Sequence, residues 1–270
     1  LASRTPQWAA AITGLRVAQI EEVAKHYGAT QRAFIRVGFG FSRSRNGAAN
    51  VHAVSCLATV GGKWRHKGGG SFYSNADIYK INDTLIKGTD QLDKSIRVLD
   101  QSRAGAILTG DKTDLGAGPP ITAMLVQNMN PAVVCPDSKT VRAGFMRDDL
   151  FVCVHEQFMT DTARFADIVL PATTFLEHDD MYRAGGHSFF QVTRKVIEPL
   201  AAARENHYVI CELAKRLGAE HRGFNMTAWE IIEETLKISG YPDATTLHRD
   251  HWADRQPDFD KAHFITGALG

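Results

Sequence analysis

In DLFVCVHEQFMTDT, an imidazole and a carboxylate, His155 and Glu156, stand side by side just past an apolar run. At the carboxyl end of a strand, such acceptors can grip ribose hydroxyls or the edge of a guanine. Thr160 has the type and spacing of an N-cap for a short turn running through Arg164. For any of these residues taken singly, a surface acid followed by a capping threonine is the favoured account. In GFGFSR, Gly38 and Gly40 precede Arg43, which occupies the place of the third glycine in a G-x-G-x-x-G dinucleotide turn. That pair makes a tight turn with or without a ligand, while Arg43 and Arg45 could reach a phosphate beside the helix that follows. In QNMNP, amide side chains flank a turn in which Asn130 is pushed toward extended backbone by Pro131; a plain Asn-Pro turn is the alternative.

Other chemistries find less support. His155-Glu156 lacks a following histidine at the zincin spacing, His178 in HDD has no second histidine nearby, and His248 and His251 in HRDH fall in a stretch without a period. There is no G-x-S-x-G elbow and no cysteine-centred catalytic motif. Basic residues are not interleaved with aromatics on one face, so nucleic-acid binding is not expected.

The elements that must position these residues follow from periodicity. Val17, Ile20, Val23, Ala24 and Tyr27 recur at helical spacing, with Gly28 as the expected stop. AFIRV reads as a strand, and the run after GFGFSRSRNG as a helix capped by Asn46 or Asn50. GGKWRHKGGG, residues 61–70, reads as a flexible connection, and GDKTDLGAGPP, residues 110–120, as a linker. ITAMLVQ, DLFVCVHE and ADIVLPA read as strands, the last ended by Pro171. NMNPAVVCP reads as a turn, and a helix capped by Asp137 or Ser138 lies between the first two strands. Two further amphipathic helices, each stopped by glycine, follow in AAARENHYVICELAKRLG and TAWEIIEETLKISG. Strands alternating with helices indicate an α/β fold with largely parallel sheets flanked by helices.

Composition agrees with a globular chain: 270 residues, 44% hydrophobic and 23% charged, with 31 basic against 30 acidic residues and a net charge of +1. No global field favours nucleic acid or an anionic membrane. Cys56, Cys135, Cys153 and Cys211 form no C-x-x-C pair and are expected to be reduced core residues. No apolar stretch approaches the roughly 20 residues needed to cross a bilayer, so direct membrane insertion is not expected.

The ordered set AITGLRVAQIEEVAKHYG, RVGFGFSRSRNGAANVHAVSCLATVGG, PPITAMLVQNMNP, LFVCVHEQFMTDTARFADIVLPATTFLEHDD and RKVIEPLAAARENHYVICELAKRLG resembles molybdopterin oxidoreductases of the dimethyl sulfoxide reductase type. The similarity runs over about residues 5–218, and F-x-T-D-T-A-x-x-A-D-I-V-L-P-A-T-x-x-L-E is its most specific piece. In that family, two Rossmann-like domains each hold the nucleotide arm of one of two molybdopterin guanine dinucleotides. The resemblance implies two Rossmann-like portions here: residues 1–120 as the C-terminal part of one cofactor-binding domain, 121–240 as the second, and 241–270 as an irregular tail. It places Phe39 and Arg43 at pterin-contact positions, and Asn130, His155 and Glu156 around the guanosine. Thr160, His178 and Asn206 join the cofactor-binding set, although Asn206 stands where an acid is common.

The implied cofactor is bis-molybdopterin guanine dinucleotide with its molybdenum, and the implied activity is electron or oxygen-atom transfer on a small-molecule substrate. Such enzymes often carry an iron–sulfur cluster on an N-terminal cysteine cluster, which is expected in the parent protein rather than in these residues. The chain is therefore expected to be an internal piece of a catalytic subunit and inactive alone, with no catalytic residue or metal ligand of its own. Its expected partners are N- and C-terminal domains of the same polypeptide, and the resemblance also allows an electron-transfer subunit. Two alternatives remain: a non-catalytic nucleotide-binding or assembly module reusing the fold, and a nicotinamide dehydrogenase, which Arg43 in the glycine slot disfavours.

Overall fold

Short β-branched strands alternate with helices, and hydrogen bonding between the strands builds parallel sheets in the computed structural model, which describes residues 3–266. The chain divides into two compact units. Within the described residues, the first takes those up to 80, 183–190 and those from 254 onward; the second takes 81–182 and 191–253.

In the first unit, α1 (Pro6–Thr13) opens on Thr5, whose hydroxyl accepts from the Trp8 N–H at 3.2 Å, and closes on Gly14 at φ 73°. Helix α2 (Val17–Ala29) runs through Gly28 rather than stopping there, and Thr30 caps it in extended conformation. The reason is Lys63. Its buried ammonium donates to the carbonyls of Gly28 at 2.8 Å and Thr30 at 2.9 Å and lies 5.2 Å from the Tyr27 ring centroid. A cation on these terminal carbonyls complements the helix dipole and satisfies acceptors that a glycine C-cap would otherwise turn back on the chain. Residues 61–70 are consequently not a free connection: a 3-10 turn at Lys63–Arg65 leads directly into a strand. Strand β1 (Phe34–Arg36) pairs in parallel with β2 (Gly70–Phe72), and the crossover between them carries the helical turn α3 (Phe39–Ser42) and helix α4 (Gly47–Val60). Asn46 precedes α4 without a side-chain capping bond, while Asn50 donates to Ser44 Oγ at 3.3 Å. Cys56 on α4 is exposed, contrary to the expectation of a core thiol; Cys135 is buried, Cys153 and Cys211 half-buried, and all are free.

The second unit begins with the helical turns α5 (Thr84–Lys87), α6 (Ala104–Leu108) and α7 (Lys112–Leu115). Asp111 caps α7 by accepting from the Thr113 and Asp114 N–H groups, so the glycine-rich stretch 110–120 holds a helical turn. Strands β3 (Ala123–Gln127), β4 (Phe151–Glu156) and β5 (Ile168–Pro171) form a parallel sheet in the order β3-β4-β5. Between β3 and β4 lie α8 (Pro131–Val134), a single turn where a plain turn is predicted, and α9 (Ser138–Phe145). Asp137 caps α9, accepting from Thr140 Oγ1 at 2.6 Å. The central strand is the most deeply placed: Val152 and Val154 are inaccessible and pack with Val126, Val141, Phe145, Leu150 and Leu108. Strand β6 (Asp180–Tyr182) then pairs antiparallel with β7 (Phe189–Thr193), Asp180 opposite Thr193 and Tyr182 opposite Gln191, giving a mixed α/β architecture.

Helices α10 (Asn206–Leu217) and α11 (Ala228–Ile238) follow as predicted, and α12 (Ala244–Asp250) forms in the stretch without apparent period. Helix α12 is only two turns long, too short to display a stripe; Asp243 caps it and Ala244 and Leu247 bury it. Among the described residues no helix is long and apolar enough to cross a membrane.

Helices α6 and α9 approach closely at two glycines. A Cβ on Gly144 would overlap the Leu108 side chain, and one on Gly105 would meet the Val141 nitrogen at 2.9 Å. Overpacking of this kind costs about 1–3 kcal/mol. Gly144→Ala is therefore expected to lower the urea midpoint of unfolding by a corresponding amount; an unchanged midpoint would show that this contact is loose.

Candidate functional site

The carboxyl ends of β3, β4 and β5 bring Gln127, His155, Glu156 and Pro171 to one edge of the second unit's sheet. Loops leaving that edge are where parallel α/β sheets place ligands. His155 sits at its centre and is wholly inaccessible. One ring nitrogen, Nε2, lies 3.0 Å from the Arg204 carbonyl, and the other, Nδ1, lies 3.0 Å from Gln127 Nε2. The same Gln127 amide nitrogen donates to Asn206 Oδ1 at 3.3 Å. Arg204 in turn is tied to the sheet: its N–H donates to the Pro171 carbonyl at 3.0 Å, and its carbonyl accepts from the Thr173 N–H at 3.2 Å. Residues far apart in sequence, from β3 to the first residue of α10, are thus joined through one imidazole.

Two further arrangements fix the loops. Asn130 Oδ1 accepts from the Thr162 N–H at 3.1 Å and from the Thr162 hydroxyl at 2.7 Å, and Thr162 Oγ1 accepts from the Ala132 N–H at 3.0 Å. This locks the Asn-Pro turn after β3 onto the loop after β4, where the N-cap of the 3-10 turn Ala163–Phe165 is Thr162 rather than Thr160, although Thr160 Oγ1 accepts from the Ala163 N–H at 3.2 Å. Gln157 Nε2 donates to the Thr173 carbonyl at 2.8 Å and joins the loops after β4 and β5. Glu156 is half-buried and accepts from its neighbour, the Gln157 N–H, at 2.7 Å.

Beyond β5, buried Glu177 accepts from the N–H of Thr174 and of Leu200, each at 2.7 Å, and from the Thr174 hydroxyl at 3.0 Å. Those backbone donors, Thr174 first and Leu200 next, hold the Glu177 carboxyl below the usual carboxylate range. His178 beside it shares a hydrogen bond with Thr173 Oγ1 at 2.9 Å and lies 3.5 Å from Asp180.

Within the second unit Gln127, His178 and Asn206 border a cavity of about 380 Å³. Gln127, His178, Asp180, Glu205 and Asn206 supply a polar wall, and Ile210, Phe224, Ile231 and Ile232 an apolar one. A hollow that combines apolar surface with convergent polar groups can take a small molecule. His178 and Glu205 also border a second cavity, of about 440 Å³, beside Arg194, Arg204 and Trp229. His155, Asn130, Glu156 and Thr160 do not line the first cavity; they hold its rim and the loops beside it.

Phe39 and Arg43 belong to the first unit, on and just after α3. The Phe39 ring is exposed and meets Tyr73 edge-on at 5.0 Å, while Tyr73 OH bonds Ser42 Oγ at 2.6 Å. Arg43 is exposed. Thr162, Glu177 and Tyr73 were not singled out by the sequence, and Gln127 stood there only as part of the QNMNP turn. Thr174-x-x-Glu177 has the spacing of a capping box, so Glu177 carried a usable signal.

Residues 5–216 match the model of the molybdopterin oxidoreductase family. The chain belongs to this family. Among relatives, the probable oxidoreductase YoaE of Bacillus subtilis is 36% identical over 91% of this chain and 35% of its own length. The trimethylamine-N-oxide reductase of Haemophilus influenzae is 30% identical over 86% of this chain and 31% of its own length. The chain thus spans about a third of the length of these curated relatives. The solved structure of acetylene hydratase from Pelobacter acetylenicus shares the fold, with a TM-score of 0.69 at 20% identity, over 93% of this chain and 39% of that one. A molybdopterin oxidoreductase domain related to the dimethyl sulfoxide reductase family accounts for the ordered motifs and for the parallel sheets alike.

A carboxyl whose folded pKa is depressed contributes its full stabilisation above the ordinary carboxylate value and loses it as pH falls through the folded value. Glu177→Gln is accordingly expected to lower the midpoint of urea unfolding at pH 7, with the gap from wild type narrowing as pH drops below the ordinary carboxylate range. Chemical unfolding across a pH series checks this; a gap that is constant with pH would contradict the role of the charge.

Proposed function

We propose that this chain is the molybdopterin guanine dinucleotide-binding part of a molybdenum oxidoreductase, and that the carboxyl edge of β3-β4-β5 receives a guanine nucleotide arm. The observation that carries this reading is the buried His155 node, which holds Gln127 and Asn206 on the polar wall of a 380 Å³ cavity at that edge. The residues fit the group. A nucleotide needs donors and acceptors for its base and ribose beside apolar surface for the ring faces, and the cavity lining combines Asn206, Glu205 and His178 with Ile210, Phe224 and Ile231.

Each residue then has a task. Asn206 and His178 contact the base, Glu156 faces the ribose, and Asn130 and Thr160 hold the loops that close on it. His155 contributes from beneath, through its neighbours. In the first unit, Phe39 and Arg43 contact a pterin. The Arg43 guanidinium has no hydrogen-bond or ion-pair partner among the described residues, which leaves its donors available for a phosphate. When bound, the molybdenum of such a cofactor supplies the electron or oxygen-atom transfer, and the protein binds, orients and shields it. The roles proposed here concern the organic part of the cofactor. The substrate would be a small molecule handled by the whole protein, with other domains of the same polypeptide as partners.

Calorimetric titration of the chain with GDP and with NAD tests the reading. Saturable GDP binding with at least tenfold preference over NAD is expected. Equal affinity, or a preference for NAD, would contradict it and favour a generic nucleotide module.

A further inference from the structure

The chemistry of the Gln127 hydrogen bonds dictates what Asn206 shows to the cavity. The Arg204 carbonyl can only accept a hydrogen bond. His155 Nε2, 3.0 Å away, must therefore carry the proton of the pair. In the neutral ring Nδ1 is then an acceptor, and it can be satisfied only by a donor from Gln127. That requirement turns the Gln127 amide so that its Nε2 faces the imidazole. The second hydrogen on the same nitrogen is aimed at Asn206, which must answer with Oδ1. Asn206 is left with its Nδ2 donors for the cavity.

We infer that Gln127 is a specificity-determining positioning residue: by orienting the Asn206 amide, it makes the start of α10 a donor that selects a ligand bearing a ring oxo group over one bearing an amino group. This rests on the nucleotide reading proposed above. The neighbouring Glu205 completes the pattern. It lines the same cavity, and its carboxylate has no hydrogen-bond partner among the described residues, so it offers an acceptor beside the Asn206 donor. A donor next to an acceptor matches the 6-oxo and N1–H edge of guanine or hypoxanthine and mismatches the 6-amino and bare N1 of adenine. His155 and Gln127 do not touch the ligand in this scheme. His155 is committed at both ring nitrogens and Gln127 at its amide nitrogen, so turning the Gln127 amide to suit adenine would strand the buried imidazole Nδ1.

The test uses the full chain, with two measurements. Nitrogen-15 NMR of the imidazole reads the His155 protonation directly, and calorimetry compares GDP, IDP and ADP for wild type, Gln127→Glu and Gln127→Met. The expected result is an Nε2–H neutral imidazole in wild type and a preference for both oxo nucleotides over ADP. In Gln127→Glu, an acceptor-only side chain obliges Asn206 to turn its Nδ2 inward and its oxygen outward, so the IDP:ADP preference falls by about tenfold. Gln127→Met frees the Asn206 amide and gives a smaller fall, with circular dichroism and unfolding midpoints confirming that both variants are folded. An Nδ1–H or doubly protonated His155 in wild type would overturn the inference whatever the nucleotides do. So would an IDP:ADP ratio unchanged in folded Gln127→Glu. Wild type that binds none of the three nucleotides would instead overturn the nucleotide reading, and the imidazole measurement would still decide the orientation of Gln127.

Discussion

A single imidazole, sealed from water at the end of the central strand, sets the geometry on which the carboxyl edge depends. His155 is inaccessible, so each of its nitrogens must find a partner inside the protein. The partners come from different parts of the chain: a strand-end amide on β3 and the backbone carbonyl of Arg204 beyond β7. Leaving either unmade would strand a buried polar group at a cost of about 1–3 kcal/mol, which is comparable to a substantial share of a domain's net stability. The bonds are therefore not optional. They bring the first residue of α10 beside the strand ends of β3 and β4 before any ligand arrives.

The surrounding loops obey the same rule of satisfying backbone donors with side chains. Asn130 and Thr162 pass hydrogen bonds to one another and to the N–H of Ala132, and Glu177 gathers the N–H groups of Thr174 and Leu200. A loop held in this way loses little conformational freedom when it closes on a ligand, which is the general advantage of preorganisation. In the first unit, the buried Lys63 performs the corresponding service for the carbonyls at the end of α2. Under the function proposed for this member of the molybdopterin oxidoreductase family, these strand-end loops serve cofactor binding.

Strands and long helices were legible because their signal is local. ITAMLVQ, LFVCVHE and DIVLP announce themselves by β-branched and apolar content, and β3, β4 and β5 appear where expected. The Gly28 stop failed because the deciding group, Lys63, is remote in sequence and lay in a stretch whose glycines suggested freedom. Helix α12 escaped notice because two turns are too few to display a stripe. The site shows the same division. His155, Asn130 and Thr160 could be nominated from strand-end position and residue type. The importance of Gln127 could not, since it follows from a backbone carbonyl at Arg204, and carbonyls carry no sequence signature. Cys56 was misjudged for a related reason: an apolar neighbourhood in sequence does not say which face of α4 it shares.

The most direct measurement is the map of amide chemical-shift changes when the isotopically labelled chain is titrated with GDP. The account predicts that the largest changes cluster at the ends of β3 and β4, in the loops after β4 and β5, and at the start of α10, around Gln127, Glu156, His178 and Asn206. Changes centred elsewhere in the second unit, with that edge silent, would contradict it.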